Sequence, residues 1–307
     1  MPQSIHIAHT EAERIEALQK LVPHRTQRQT KQLLASLESR YPLPADAIWV
    51  AKDGMRLRAA AMVVPMPGRT ATVTVTPPDS DTDSSLIDDL LKAIVMATQV
   101  WDIDLIQALL DPDHATAIDA HIRAGFSTLA ELITMSCVLR HQHCELLPPS
   151  ISLHSITDDS LAPILESTYA DTFDCPKLRG IRRTEDVIAG HRAGGAVHED
   201  LWLMIAQEEQ PIGCALVTVS GTCADLAYIG LIPEARNKKI GEIILKHIKT
   251  RAHAHGADRM RLAVDAKNGP ALRLYQRCGL TPRIRHLAVI CAVGVTQVGK
   301  QNASVST

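Results

Sequence analysis

At 307 residues and 33.5 kDa the chain is about twice the usual domain length, so two domains are expected. Hydrophobic residues at 46% and charged residues at 21% exclude wholesale disorder, and the 3% aromatic share excludes a base-stacking platform. Thirty-two basic against thirty-four acidic residues leave a net charge of -2, with no surplus to track a phosphate backbone, so no nucleic-acid partner is expected.

The N-terminal stretch MPQSIHIAHTEAER has no signal-peptide core. The longest apolar runs, such as Leu287 to Val295, fall far short of the roughly 20 residues that span a bilayer. A cytoplasmic protein without a membrane partner is expected. Seven cysteines at irregular spacings form neither a disulfide framework nor a zinc signature and read as reduced, mostly buried thiols.

The chain reads as one unit written twice. An ungapped offset of 154 brings Asp111 onto Asp265, Ala117 onto Ala271, Arg123 onto Arg277 and Gly125 onto Gly279. It also superposes Leu91, Lys92 and Ile94 on Leu245, Lys246 and Ile248. The stretch HQHCELLPPS (141–150), with two prolines and no apolar periodicity, suits a linker, and the cut is placed near residue 145. That gives domains 1–145 and 146–307.

In the second copy, the early segment 167–195 carries Tyr169, Asp171, Asp174, Arg179, Arg182 and Arg183 among polar residues. The runs LWLMIA (201–206) and GCALVTVS (213–220), joined by QEEQP, predict a hairpin. ADLAYIGLIP (224–233) predicts a third strand ended by proline. The stretch from Ala235 to His255, with Ile240, Ile244 and Ile248 at helical spacing, predicts a helix that follows it directly. MRLAVDA (260–266), the short helix GPALRLYQRCG and a final strand from Arg285 to Val293 complete the pattern. A hairpin meander followed by β-α-β-α-β argues an α+β (α/β mixed) fold with a mostly antiparallel sheet, and no GxGxxG supports a doubly wound dinucleotide fold.

The chemistry concentrates at AYIGLIPEARNKKIGEIIL (227–245). A helix start there leaves backbone N–H groups unpaired and concentrates positive dipole, which suits a phosphate. Arg236, Lys238 and Lys239 add charge at that mouth, and Gly241 removes a side chain where a diphosphate would approach the backbone. The alternative, an amphipathic helix with a solvated basic first turn, places three cations against the helix dipole.

With the segment DAKNGPALRLYQRCGL (265–280), the sequence resembles the GNAT superfamily of acyl-CoA-dependent N-acyltransferases. Arg236, Asn237, Lys238, Lys239, Ile240 and Gly241 meet that family's [QR]-x-x-G-x-[GA] loop, except that Lys239 stands where the first glycine is usual. Asn268, Ala271, Tyr275, Gly279 and Leu280 meet its N-x-x-A-x-x-x-Y-x-x-x-G-[FL] helix. The resemblance covers about residues 151–293 and, more weakly, 1–140. A tandem pair of such domains is similar to the arrangement in mycothiol synthase.

The resemblance implies direct transfer of an acyl group, most simply acetyl from acetyl-CoA, to a primary amine of a small molecule or peptide, with no metal. The backbone of Leu231, Ile232 and Pro233 would meet pantetheine and polarise the thioester, residues 236–241 would hold the diphosphate with Lys239 neutralising it, and Asn268 would share the groove with Tyr275. The tyrosine would protonate the leaving thiolate. Asp225 is the first candidate for the base, because plain strand alternation puts it on the face of Ile229 and Leu231, whereas Tyr228 faces the other way unless a bulge intervenes. The residues of segment 167–195 named above would contact the acceptor. Cys175 reads as structural. A non-catalytic acyl-CoA-binding sensor or scaffold is the rival reading, and the assembly is expected to be a monomer or homodimer.

In the first copy the same offset replaces Arg236 by Thr82 and Gly241 by Ile87, and sets Asp79, Asp81 and Asp83 in the loop, reversing its charge. His121 replaces Tyr275 and His114 replaces Asn268. A degenerate, structural domain is expected there, capping the acceptor groove or mediating assembly. The histidines near Cys144 (His141, His143) and on the long helix (His247, His253, His255) lack ligand spacing for a metal.

Overall fold

The computed structural model describes residues 3–40, 43–78, 84–141 and 146–293. Its contacts divide the chain into two compact units, Met1–Thr128 with Leu287–Thr307, and Leu129–His286. The division therefore falls at two places instead of the single cut expected near 145. The reason is an exchange of strands: the last strand of the first sequence copy pairs within the second unit, and the end of the last strand of the chain pairs within the first.

The first unit runs β1 (Gln3–Ile7), α1 (Glu11–Leu21), α2 (Gln27–Arg40), β2 (Ile48–Asp53), β3 (Arg56–Met66), β4 (Thr70–Val75), α3 (Ser84–Ala97), β5 (Leu105–Leu110) and α4 (Ala115–Arg123). Helix α1 starts on a reciprocal cap in which Thr10 accepts from the Glu13 N–H and Glu13 accepts from the Thr10 N–H. Strands β1 to β4 are antiparallel neighbours and β4 to β5 is parallel. Residues Leu287–Ala292 add an antiparallel strand beside β5. Ile87, Leu90, Leu91 and Ile94 of α3, all fully buried, pack on Ala59, Ala61, Val63 and Ile106 of the sheet.

The second unit contains β6 (Ser127–Val138) from its residue Leu129 onward, β7 (Ile151–Ser155), α5 (Asp158–Thr168), α6 (Thr184–Arg192), β8 (Ala196–Gln207), β9 (Gln210–Ser220), β10 (Cys223–Leu231), α7 (Ile240–Ala254), β11 (Arg259–Asp265), α8 (Gly269–Arg277) and the start of β12 (Thr281–Ala292). Its strand order is β6-β11-β10-β9-β8-β7, with β10 and β11 parallel and the other pairs antiparallel. The β8–β9 hairpin turns through Glu208 and Glu209, both at positive φ (49° and 66°), the geometry of a tight primed turn. Ile244, Leu245 and Ile248 are fully buried against Leu203, Val217 and Met260, at about 2 kcal/mol of transfer free energy each. This is the mixed sheet with flanking helices that the order of elements predicts, and the second-copy elements fall where expected to within a few residues.

Two irregularities shape the site. Strands β10 and β11 pair over only three residues each, Cys223–Asp225 with Arg259–Arg261, and then diverge. At the same point the register of β10 against β9 shifts between Leu226 and Tyr228, so Ala227 is the extra residue of a β-bulge. Ala224 and Leu226 before the bulge, and Ile229 and Leu231 after it, share the core beneath α7, while Tyr228 joins the other core beneath α5 and α6.

Candidate active site

The cleft opened by this divergence is lined by β10 from Leu226 to Leu231, by Ala263, by the start of α7, by one side of α8 and by Thr168, Asp171, Phe173 and Asp174. Its walls expose unpaired backbone. The Ile232 N–H donates to the Ile212 carbonyl at 2.9 Å, so antiparallel alternation turns the N–H groups of Ile229 and Leu231 away from β9 and into the cleft. The Ala266 N–H donates to the Glu131 carbonyl at 2.8 Å, which by the same alternation turns Ala263 and Asp265 toward the cleft from the other side. The Leu231 N–H thus opens into the cleft. The Ile232 N–H is consumed by β9, and the Leu231 carbonyl accepts from Arg236 Nε at 2.9 Å.

Arg236 does something the motif does not announce. Besides Leu231, its guanidinium donates to the carbonyls of Asp171 (3.1 Å), Thr168 (3.0 Å) and Ala170 (2.7 Å). It straps the end of α5 to the end of β10, and its charge offsets the negative end of α5. Its donors face carbonyls in place of the diphosphate expected from the sequence. The exposed cations at the mouth are Lys238 and Lys239, of which Lys239 lines the cleft.

Pro233 opens a short 3-10 turn, and Asn237 and Lys239 both take positive φ of 62°. Lys239 therefore occupies the left-handed conformation that the usual glycine would take freely, at a cost of about 1 kcal/mol for a residue with a Cβ. Helix α7 begins at Ile240 with Lys239 as a cap lacking a side-chain hydrogen bond, so helix geometry leaves its first N–H groups open to the cleft mouth. A Cβ on Gly241 would lie 3.3 Å from Leu274 Cδ2, so this glycine also sets the α7–α8 distance. Arg277 Nε contacts Glu242 Oε2 at 3.2 Å across the same helix pair, and both line the cleft. Neither was singled out in the motif, since Arg277 is read there only as a repeat position.

Asn268 caps α8, its Oδ1 accepting from the Ala271 N–H at 3.2 Å. Two turns on, Tyr275 is the single buried residue of α8 at 8% exposure, lines the cleft, and has no hydrogen-bond partner for its hydroxyl among the described residues. Burial pushes its pKa above the ordinary tyrosine value, which keeps it protonated and competent as an acid. Tyr228, turned by the bulge, shares a 2.7 Å hydrogen bond with Thr168 and lies over Gly230, where a Cβ would be 2.5 Å from the Tyr228 hydroxyl oxygen. Desolvation raises its pKa as well, which opposes service as a base.

Asp225 lies outside the cleft. The bulge at Ala227 breaks the alternation that would have aligned it with Ile229 and Leu231, and its carboxylate pairs with Arg261 of the neighbouring strand, Nη2 to Oδ2 at 2.7 Å. Of the residues expected to meet an acceptor, Asp171 and Asp174 line the cleft. Arg183 pairs with Asp186 (2.7 Å), Arg182 donates to the Asp186 carbonyl, Arg179 is exposed, and Tyr169 packs edge-on against Tyr228. Burial pushes the Cys175 thiol up to about 12, so it is protonated and unsuited to nucleophilic attack.

His143 and Cys144, like Asp79, Asp81, Thr82 and Asp83, lie outside the described residues. The six described cysteines are free, with Cys175 and Cys223 half-buried. Among the described residues no group of three His, Cys, Asp or Glu is arranged to hold a metal, and no helix is long and apolar enough to cross a membrane.

A splayed pair of parallel strands, an open helix start at its mouth and a tyrosine on the following helix define the class as a GNAT-type acyltransferase fold. Residues 165–280 match the acetyltransferase (GNAT) family model. Among solved structures, a GCN5-related N-acetyltransferase from Sphaerobacter thermophilus is similar with a TM-score of 0.62 and 15% identity, over 94% of this chain and 95% of that one. A tandem GNAT protein from the clavulanic acid biosynthesis pathway, solved without AcCoA, is similar with a TM-score of 0.54 and 15% identity, over 96% of this chain and all (100%) of that one. At this identity the likeness is one of fold, and the fold is that of two tandem GNAT-like domains. No curated protein matches the chain.

Proposed function

We propose that the second domain is an N-acyltransferase that moves an acetyl group from acetyl-CoA directly to a primary amine. The observation that carries the reading is Tyr275, buried, protonated and without a protein partner for its hydroxyl among the described residues, in a cleft whose β10 wall presents free N–H groups. The N–H of Leu231, with that of Ile229, would hold the pantetheine chain and draw electron density from the thioester carbonyl. The open N–H groups of α7 with Lys238 and Lys239 would hold the diphosphate.

The neutral amine attacks the thioester carbon, the carbon–nitrogen bond forms and the carbon–sulfur bond breaks with its electron pair going to sulfur. The thiolate takes the proton of the Tyr275 hydroxyl, which recovers one from the nitrogen of the newly formed amide. The first domain, with the loop acids Asp79, Asp81 and Asp83 in its sequence and no counterpart of Tyr275, is read as a structural partner. A cytoplasmic monomer or homodimer without metal suits this reading.

The test is calorimetric titration with acetyl-CoA and free CoA of the wild type and of a Lys238→Glu, Lys239→Glu variant, followed by an amine screen with Tyr275→Phe. One-site binding weakened in the loop variant, with turnover lost in Tyr275→Phe, is the expected result. Absence of binding overturns the reading. Tight binding with slow thioester loss and no amine product favours the rival, an acyl-CoA-binding sensor or scaffold, for which Lys239 in the glycine position is the specific departure.

A further inference from the structure

Two carboxyl groups meet at the end of β11, Asp174 lining the cleft and Asp265 buried beside it. Asp265 ends β11, is 3% exposed, and accepts from the Lys267 N–H at 2.8 Å and the Cys175 N–H at 3.3 Å. Its own N–H, the one that strand alternation turns toward the cleft, donates to Asp174 Oδ1 at 3.3 Å. Asp174 is thereby fixed across the mouth of the strand divergence, with its loop also held by the Thr172 hydroxyl, which accepts from the Asp174 N–H at 3.1 Å. The Asp174 side chain is exposed and lines the cleft.

The cations that line the same cleft are placed elsewhere: Arg236 is bound to backbone carbonyls, Arg277 contacts Glu242, and Lys239 stands at the start of α7. Asp265, Cys175, Tyr169, Tyr228 and Tyr275, each acidic in type, are among the groups close enough to feel the charge of Asp174. Among the described residues no Lys, Arg or His forms an ion pair with Asp174 or Asp265, although most other carboxylates of this unit that face a neighbouring base do so. An exposed carboxylate with no protein cation paired to it is open to an incoming ammonium ion. The unpartnered hydroxyl of Tyr275 opens into the same cleft and marks it independently as a ligand site.

We propose that Asp174, backed by Asp265, is the positioning residue that receives the acceptor as its ammonium ion, in place of Asp225. This inference rests on the acyltransferase reading and narrows it. The acceptor is an amine that arrives protonated and without an anionic group close to the reacting nitrogen. The role falls to the loop between α5 and α6 because Arg236 ties that loop's start to β10 while Asp174, further along it, is tied to β11, so its carboxyl is held over the divergence.

The experiment uses the full chain and two stable CoA thioethers, S-(2-aminoethyl)-CoA, which carries an ammonium just beyond the acyl position, and S-propyl-CoA, its neutral counterpart. Calorimetry at pH 8 is expected to show the ammonium compound binding at least 10-fold tighter to the wild type. Asp174→Asn abolishes the preference and leaves S-propyl-CoA affinity within about 2-fold, a split that a merely structural role would not produce, while Asp225→Asn preserves the preference. Lowering the pH through the titration of Asp174, which desolvation sets above the ordinary aspartate value, removes the preference in the wild type. Equal affinities in the wild type, or a preference that survives Asp174→Asn, overturn the proposal. Failure of both thioethers to bind overturns the underlying acyltransferase reading instead.

Discussion

Asp88 with Arg123 in the first unit and Glu242 with Arg277 in the second stand at the same offset of 154 and make the same contact between corresponding helices. Gly125 and Gly279, at φ of 98° and 82°, end those helices in the same left-handed turn. What changes is the filling between the helices. Gly241 opposes Leu274 in the second unit, whereas the equivalent pair in the first is Ile87 and Ala120, both fully buried. One arrangement keeps the helix start bare at the cleft; the other fills it with an isoleucine side chain.

The end of the central strand differs in the same sense. Gly230, under the Tyr228 ring, becomes Thr76, which is 4% exposed and whose hydroxyl accepts from the Ala60 N–H at 3.1 Å. Tyr275, with a free hydroxyl in a cleft, becomes His121, 1% exposed with its Nε2 buried and unpartnered and its Nδ1 2.8 Å from the Ala117 carbonyl. The same scaffold carries an open cleft in one copy and a packed core in the other, because a few volumes at the strand–helix junction differ.

The largest expected effect is on the strap. Arg236→Ala removes four hydrogen bonds to backbone carbonyls and should lower the stability of the second unit by about 3 kcal/mol in urea unfolding, with Arg236→Lys recovering little because an ammonium cannot span the four acceptors. An effect below 1 kcal/mol would return Arg236 to the anion site. Tyr275→Phe deletes a hydroxyl with no described partner, so stability should be unchanged while kcat falls about 100-fold at constant CoA affinity.

Charge reversal of Lys238 and Lys239 together should weaken CoA binding about 10- to 100-fold, with a steeper salt dependence in the wild type than in the variant. The histidine that replaces the tyrosine gives the first unit its own pH response. Burial lowers the His121 pKa below 6.5, so the folded state binds its proton less well than the unfolded chain; stability is full above that ordinary value and is lost as pH falls below it. His121→Phe should flatten the fall in stability between about pH 6.5 and 5, read by thermal melts at each pH. The smallest difference lies in the shared ion pair: Asp88→Ala, which loses a two-pronged contact at 2.6 and 3.0 Å from an 8% exposed residue, should cost about 1–2 kcal/mol. Glu242→Ala, on a more exposed pair, should cost under about 1 kcal/mol.

The sequence by itself determined the repeat, the elements of the second copy, the GNAT loop and helix, and the positions of Tyr275, Asn268 and Gly241, because each of these depends on spacing along the chain: helical periodicity, strand runs and glycines that end helices. Tertiary structure decided the rest. Whether Arg236 faces a phosphate or four carbonyls depends on where α5 ends in space, and a guanidinium suits either partner. Whether Asp225 reaches the cleft depends on one extra residue at Ala227, which reverses the faces of a strand whose neighbours otherwise read as regular alternation. The unit boundaries likewise depend on which strand each sheet edge takes up, and a strand's hydrogen-bonding edge is the same whichever half of the chain supplies it.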